Sequence, residues 1–536
     1  MRPERLQCGT RGLVTQKRGA RTRRLLLLMS IASALLCGAC KVTEKDVDTW
    51  KNTRKGPGKM VAVMLADKFD MPLRIYAALE LVEMERQDVD GVTEMQHAIQ
   101  KLEPETRAQI TEGLADGLIA LMKKPVDAHD ESDQADKNDK DKKESEQAAA
   151  DDAPPPHQVR AKDAAFVLVS SAPPAVKDRL TQALVQWYTA DFNGRSLTGN
   201  FSAEQVVRGL GSAAARSLVD ALDAKLPQAA LIKLSELTGQ LGDADVKKKA
   251  GARLVAIERE MEGAGFLTWL KQQITAQMKA VNQKPDEARI AKAAEVNREN
   301  FINSGALPAM KYLADQEEVQ KRLLEIAGAK DAKLTDRRTR ALQALEGKLG
   351  PEHVDEVLAL ALNASNPVSV RDYAFDRVGD TRNPKALASL WPLLSDEDQR
   401  LRWRAGELIL VIGGPSVLNE FFAKLPSGPN VSYEPEELDG YAQRMSQMTP
   451  APKDAAKAQL ESPNWWLSII GLNYFQRKGT DADVTALEPL TRNTTPVKGK
   501  RWEKGDTLGK VAERAIAGLR ERLKEAAGAS GTQAGR

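Results

Sequence analysis

The side chains that perform acid–base, metal or nucleophilic chemistry are few in this chain. Its four histidines are His97, His129, His157 and His353, and none is spaced as His-x-x-x-His. The three cysteines, Cys8, Cys37 and Cys40, all fall in the first 40 residues, so the only Cys-x-x-Cys, Cys37 to Cys40, lies in that short leader and the rest of the chain has none. A zinc site therefore lacks its usual ligands. No Gly-x-Ser-x-Gly elbow is present to expose a nucleophilic serine. His353, with Asp355 and Glu356 close behind, sets an imidazole beside carboxylates. Acids gather at helix N-termini in any case, so a solvated helix start is the reading there. Gly209 and Gly211 have the spacing of a dinucleotide loop, but a helical pattern precedes them where that loop needs a strand. Close helix packing is preferred for that pair. The basic stretch 498–504, with Trp502 inside it, offers a contact for an anionic surface; a solvated loop is preferred. The sequence thus predicts no catalytic residue, no cofactor site and no metal site.

Residues suited to recognition are easier to find. Arg340, Tyr373 and Arg404 stand at the matching place in three similar segments, and Trp403 directly precedes Arg404. Arginine and aromatic side chains dominate interface hot spots, so these four are the candidate partner-binding residues. Trp465 and Trp466 are a second candidate, with one ring expected in the core and the other exposed.

The elements that position these residues come from one repeated phrase in residues 336–414. It reads Arg338-Thr339-Arg340-Ala341, then Val370-Arg371-Asp372-Tyr373-Ala374, then Leu401-Arg402-Trp403-Arg404-Ala405. The leading arginines are 33 and then 31 residues apart. A period of this size marks stacked units, none of which can bury its apolar face alone. Fainter copies stand at Arg74, Lys247, Ser468 and Ala512. Aromatics are only 5% and charged residues 29% of the chain, which suits amphipathic helices better than strands. Single helices are expected over 266–281, 286–303 and 306–327. Ser202 and Gln205 read as a capping box. Prolines 426, 429, 435, 450, 452 and 463 mark 426–463 as a surface insertion around one or two short helices, and 491–506 is a second insertion.

The phrase (Val/Leu)-Arg-x-x-Ala, often preceded by Asn/Asp-Pro and closed by Gly, resembles the short HEAT-like repeats first noted in phycobilin lyases. Asn366-Pro367-Val368-Ser369-Val370-Arg371-Asp372-Tyr373-Ala374 carries the likeness best. The resemblance implies an all-α fold, an α-solenoid of stacked helical hairpins. Ala would let paired helices approach, Arg would bond a neighbouring turn, and Gly would end the helix in a left-handed cap.

The formal net charge of +3 is unevenly spread. Residues 1–40 hold eight basic side chains and one acid, which leaves 41–536 at −4. The basic character belongs to a leader, and nucleic acid is not an expected partner. That leader ends its basic part at Arg23-Arg24, continues through an apolar run from Leu25 to Leu36, and closes on Gly38-Ala39-Cys40. The run is shorter than a spanning helix. An actual start later than Met1, near Val14, is open. The segment resembles a bacterial lipoprotein precursor, with Cys37 where the lipobox usually has Leu. The resemblance implies cleavage between Ala39 and Cys40, acylation of Cys40, and a mature protein anchored on the periplasmic side of a bacterial membrane. An ordinary signal peptide or an uncleaved anchor is the alternative. Lys41, in the place where Asp would favour inner-membrane retention, tilts the expectation slightly to the outer membrane.

Residues 126–160 break the helical pattern. The stretch 126–152 carries 11 acids and 4 lysines, and Pro154, Pro155 and Pro156 follow. Such a composition cannot bury enough surface to offset its ordering entropy, so a disordered acidic linker is expected. The expected organisation is a signal peptide over 1–39, an N-terminal helical block over 40–125, the linker, the HEAT-like α-solenoid over 161–527, and a disordered tail over 528–536. The expected function is a non-catalytic interaction scaffold of the cell envelope, held at the membrane through lipid on Cys40 and binding another envelope protein. A periplasmic carrier or assembly factor, and an enzyme subunit of the lyase-associated HEAT class, are the alternatives. Repeats alone confer no activity.

Overall fold

The structure, a computed structural model, describes residues 42–84, 89–124, 156–190, 195, 199–428 and 431–533. Cys40, the leader and residues 126–155 of the acidic segment lie outside them. The described chain is all-α, a series of stacked antiparallel HEAT-like hairpins. Its only bridge between extended residues among those described joins Pro496 to Thr507. The chain divides into two compact units, one ending at Val206 and the other beginning at Val207.

The first unit holds α1 (Glu44–Lys51), α2 (Gly56–Leu65), α3 (Met71–Glu83), α4 (Gly91–Gln100), α5 (Pro104–Lys123), α6 (Pro156–Val169) and α7 (Pro174–Ala190). Asp70 caps α3 through the Leu73 amide, and Pro72 stands in the first turn, where its missing N–H costs nothing. Leu73, Ala77 and Leu81 then recur on the buried face. Arg74, 4% exposed, reaches back to the Met64 carbonyl at 2.8 Å and so satisfies the open C-terminus of α2. Lys162 and Asp163 of α6 form a buried ion pair at 2.6 Å, and the ammonium also donates to Phe201 O at 2.5 Å. Burial pushes the Lys162 ammonium below its ordinary range.

The division between units falls inside α8 (Ala203–Leu210), opened by the Ser202–Gln205 capping box in both directions, at 2.8 and 3.2 Å. The second unit continues with α9 (Ser212–Ala221), α10 (Gln228–Leu241), α11 (Ala244–Glu262), α12 (Ala264–Ala280), α13 (Glu287–Phe301), α14 (Leu307–Met310), α15 (Glu317–Ala327), α16 (Thr335–Ala344), α17 (Val354–Leu362), α18 (Val368–Thr381), α19 (Leu387–Leu390) and α20 (Gln399–Gly413). It closes with α21 (Leu418–Lys424), α22 (Pro435–Ser446), α23 (Lys453–Leu460), α24 (Trp465–Lys478), α25 (Asp481–Leu487) and α26 (Leu508–Gln533). The stretch Gln399–Lys424 is long and apolar enough to cross a membrane, but half of its most apolar window is buried in the unit. It is a core segment here.

The repeated phrase opens the second helix of each hairpin. Ala341, Ala374 and Ala405 are fully buried where helices meet. The leading arginine ties that helix to the end of the first: Arg338 donates to Ala327 O at 2.9 Å, Arg371 to Ala361 O at 3.1 Å, and Arg402 to Asp396 O at 2.8 Å. Arg338 also spans to the next hairpin, donating to Asn366 Oδ1 at 2.7 Å. In α24 the alanine place is taken by Gly471, because a Cβ there would lie 2.8 Å from the Ala456 carbonyl oxygen. A buried charge network ties α11, α13, α15 and α16 together. Glu258, fully buried, takes Arg322 at 2.7 Å, and Arg337 bonds Glu262 and Glu299 at 2.7 Å each. Burial pushes the Glu258 carboxyl up, while Arg322 pulls the other way.

Several expectations need correction. The linker does not extend to 160, because α6 begins at Pro156; there His157 faces Lys124 O at 3.0 Å and Gln158 donates to it at 2.7 Å. The helices before residue 206 belong with the N-terminal block, so the larger array begins at Val207, not at 161. Residues 306–327 are not one helix. A π-turn over Ile302–Ala306 and a 3-10 turn over Lys311–Leu313 flank α14, and α15 begins only at Glu317. The segment 426–463 is not a surface insertion, since α22 buries Leu438, Tyr441, Ala442 and Met445 completely. The helix α26 runs to Gln533, so the tail is not irregular from 528. Left-handed caps hold only in part. Gly414 has a positive φ of +59 but with ψ −149, Gly479 has φ −67, and the left-handed cap that does form, at the end of α18, is Arg382 at φ +47.

Candidate functional site

The second helices of successive hairpins, α16, α18, α20, α22, α24 and α26, neighbour one another in order. Their open side carries a groove. One depression of about 420 Å³ lies over α14, α16 and α18, and Arg340 and Tyr373 line it. A second, of about 650 Å³, lies over α18 and α20 and reaches Arg444; the two share Glu346, Asp376 and Arg377.

The groove is lined by charges that pair across neighbouring helices. Arg404 bonds Asp376, and Arg400 bonds Asp372 one turn earlier, so α18 and α20 are cross-linked twice on this side. Arg377, 5% exposed, pairs with Asp380 at 2.9 Å and donates to Leu342 O at 2.9 Å. Lys311 and Glu346 pair at 3.2 Å, and Arg477 and Asp439 at 2.7 Å. Exposed pairs of this kind contribute little to stability each, so their main effect is to set the pattern of charge a partner meets.

The four sequence-predicted residues are not one row. Arg340 is exposed and bonds Gln343 at 3.3 Å, without a carboxylate partner among the described residues. Tyr373 is half-buried in the same depression. Arg404 stands in the next depression, tied to Asp376 and at 3.5 Å to Glu407. Trp403 leaves this line. Its indole edge packs on α22, where a Cβ on Gly440 would lie 2.9 Å from Nε1. It lines a separate depression of about 500 Å³ beside Gln399, Glu437 and Arg501.

Other candidates fare differently. Both tryptophans of α24 are buried, Trp465 at 7% and Trp466 at 5% exposure, and Tyr433 stacks on Trp466 at 5.5 Å. In the 498–504 loop Lys500, Arg501 and Lys504 are exposed, while Trp502 is half-buried and its Nε1 donates to Tyr433 O at 2.8 Å, anchoring the loop. His353 does sit at a helix start, 3.3 Å from Glu356. Gly211 takes φ +61 at the head of α9 with open space where a Cβ would be, so backbone conformation explains it and helix packing does not.

The sequence reading missed the buried pair Glu437 and Tyr441. The Tyr441 hydroxyl donates to Glu437 Oε1 at 2.9 Å and Gln399 donates to Oε2 at 3.1 Å, inside a core where Glu437 is 1% exposed. Burial pushes both groups up. The signal was present as Leu438, Tyr441, Ala442 and Met445 at helical spacing. Among the described residues, no group of three or more His, Cys, Asp or Glu is arranged to hold a metal ion.

The fold and groove define an α-solenoid of HEAT-like hairpins with an open, charged second-helix face. No protein-family model matches the chain, and no curated protein sequence does. Among solved structures, the chain is similar to Kap121p at 11% identity, with 92% of this chain and 56% of that one covered and a TM-score of 0.34. Kap121p bound to Pho4p is similar at 11% identity, with 93% and 52% covered and a TM-score of 0.26. Kap95p, from a study of its binding to RanGDP, is similar at 12% identity, with 89% and 64% covered and a TM-score of 0.24. The chain spans just over half the length of the Kap121p structures it matches. At these scores, function is read from the chain's own surface.

Proposed function

We propose that this chain is a non-catalytic interaction scaffold, tethered to a bacterial membrane through lipid on Cys40, that takes an envelope protein along its second-helix groove. One observation carries the reading. The two adjoining depressions form an open face that offers Arg340 and Tyr373 to a partner. The groups that burial shifts from their ordinary values, Glu258, Glu437 and Lys162, are instead consumed by bonds inside the helical packing. That pattern fits recognition better than catalysis, which needs perturbed groups at an accessible site. The tether rests on the leader sequence alone.

Photo-crosslinking tests the groove. Benzoylphenylalanine at Arg340 or Tyr373 is expected to trap one discrete partner in cells, and the same group at exposed Val368 is not. Identical adducts at all three positions, or none, sink the groove reading. The tether is tested separately: Cys40→Ala is expected to release the protein from the membrane fraction and to abolish acyl mass on the mature chain.

A further inference from the structure

The hairpin α12–α13 behaves unlike the rest of the second unit. Its base is pinned by an aromatic cluster, with Phe266 5.4 Å from Phe301 and 5.1 Å from Trp269. Leu270, Ile290 and Ala294 complete the buried part. Beyond Leu270, nothing from residue 271 through 289 is buried. At 1.5 Å per residue, α12 runs on for roughly 15 Å past its last buried side chain, with Ile274, Thr275 and Met278 half-buried along the way. The outer half is therefore a free-standing arm held by its own two helices.

The arm carries an excess of positive charge, with Lys271, Lys279, Lys284 and Arg289 against Asp286 and Glu287. No acid stands between Glu262 and Asp286, in a chain with 75 acids among 536 residues. Lys271, Lys279 and Lys284 all lie in that gap and are all exposed. None of the three forms an ion pair or side-chain hydrogen bond among the described residues, unlike Arg377 and Arg404 of the groove. Val281, at the apex between Lys279 and Lys284, is 65% exposed, the most exposed of the large hydrophobics among the described residues.

We propose that the tip of this hairpin docks on an anionic lipid surface, with the three lysines against the headgroups and Val281 at the interface. The shape favours a bilayer over a protein. A convex tip with one apolar side chain between Lys279 and Lys284 meets a plane, and it presents no cleft or extended apolar stripe to a folded partner. Long lysine side chains lay their methylenes along the interface while their ammonium groups reach phosphate. The proposal does not depend on lipid at Cys40, and the two can fail separately.

The test uses the full chain with Cys8, Cys37 and Cys40 changed to Ser, which removes any tether acyl chain. An environment-sensitive fluorophore is placed on Val281→Cys, and on Val368→Cys as the control at a position 54% exposed. Vesicles containing phosphatidylglycerol are expected to shift the Val281 emission to the blue, and phosphatidylcholine-only vesicles are not. The probe reads the tip locally, so insertion of the apolar leader does not mimic the result. Each lysine near an anionic surface is worth about fivefold in partitioning, so Lys271→Glu, Lys279→Glu and Lys284→Glu together should weaken the response at least about 100-fold. Added salt should weaken it too. Circular dichroism on the same samples checks that the exposed substitutions leave the helices intact. Equal shifts with both vesicle types, equal shifts at Val368, or no shift at Val281 overturn the proposal. So does a Val281 photo-crosslink to an acidic protein with no vesicle response.

Discussion

Removing the Arg338 guanidinium should cost far more than removing its counterpart at Lys247. Arg338 is 3% exposed and donates to Ala327 O at 2.9 Å and Asn366 Oδ1 at 2.7 Å. Asn366 in turn donates to Leu360 O at 2.8 Å, so one cation closes the end of α15 and steadies the turn after α17. Hydrogen bonds from a charged donor contribute about 1.5–3 kcal/mol each, and desolvation of the buried cation takes part of that back. Burial does pull the Arg338 guanidinium below its ordinary value, as that penalty requires. The net expectation is a loss of about 3–4 kcal/mol for Arg338→Ala, including the carbonyl left unpaired. Lys247 opens α11 in the equivalent place, half-buried, and makes no side-chain hydrogen bond among the described residues. Lys247→Ala should therefore stay within about 0.5 kcal/mol. Urea unfolding followed by circular dichroism measures both. Since stacked repeats unfold by segments when a junction weakens, Arg338→Ala should also broaden the transition. A loss below about 1 kcal/mol, or equal losses at the two positions, would refute the idea that the motif arginine fastens hairpins.

Two further outcomes follow from the packing. Gly471→Ala gains about 1 kcal/mol in helix propensity but drives a methyl to 2.8 Å from the Ala456 carbonyl, which costs about 1–3 kcal/mol and should win. A lowered melting temperature checks this, and a raised one contradicts the contact. Burial raises the folded-state value of Glu437 above its ordinary 4.5. The stability its protonated form contributes is complete below that value and is lost as pH rises through the higher folded one. Glu437→Gln stays neutral, so melting curves should show the variant gaining on the wild type as pH rises from acid toward neutrality. A constant difference across that range contradicts the shift.

The hairpin plan was legible because its signals are local. Arginine followed three residues later by alanine, a proline near the helix start and a period near 32 residues all sit within one short window. The Arg74 copy, faint in the sequence, forms the same bond in the structure, to Met64 O. What misled was punctuation. Prolines between 426 and 463 suggested a loop, yet Pro435 stands in the first turn of buried α22, where proline fits. The candidate site was half legible for a geometric reason. Arg340, Tyr373 and Arg404 share a helical phase, and phase is readable from sequence. Trp403 is one position earlier than Arg404, and its fate was set by Gly440, 37 residues away in the chain and visible only in three dimensions.

The unequal joints between hairpins have a mechanical consequence. Where an arginine bridges to the next turn, as Arg338 does to Asn366, neighbouring hairpins resist shear, because the bond has a direction and a short reach. Where Lys247, Ser468 or Ala512 holds that place, the motif-arginine bridge is missing, and Ser468 keeps only a 3.3 Å bond to Ser462 O, so the joint resists sliding less. Under load the second unit should yield at those joints first, behaving as stiff blocks linked by softer ones.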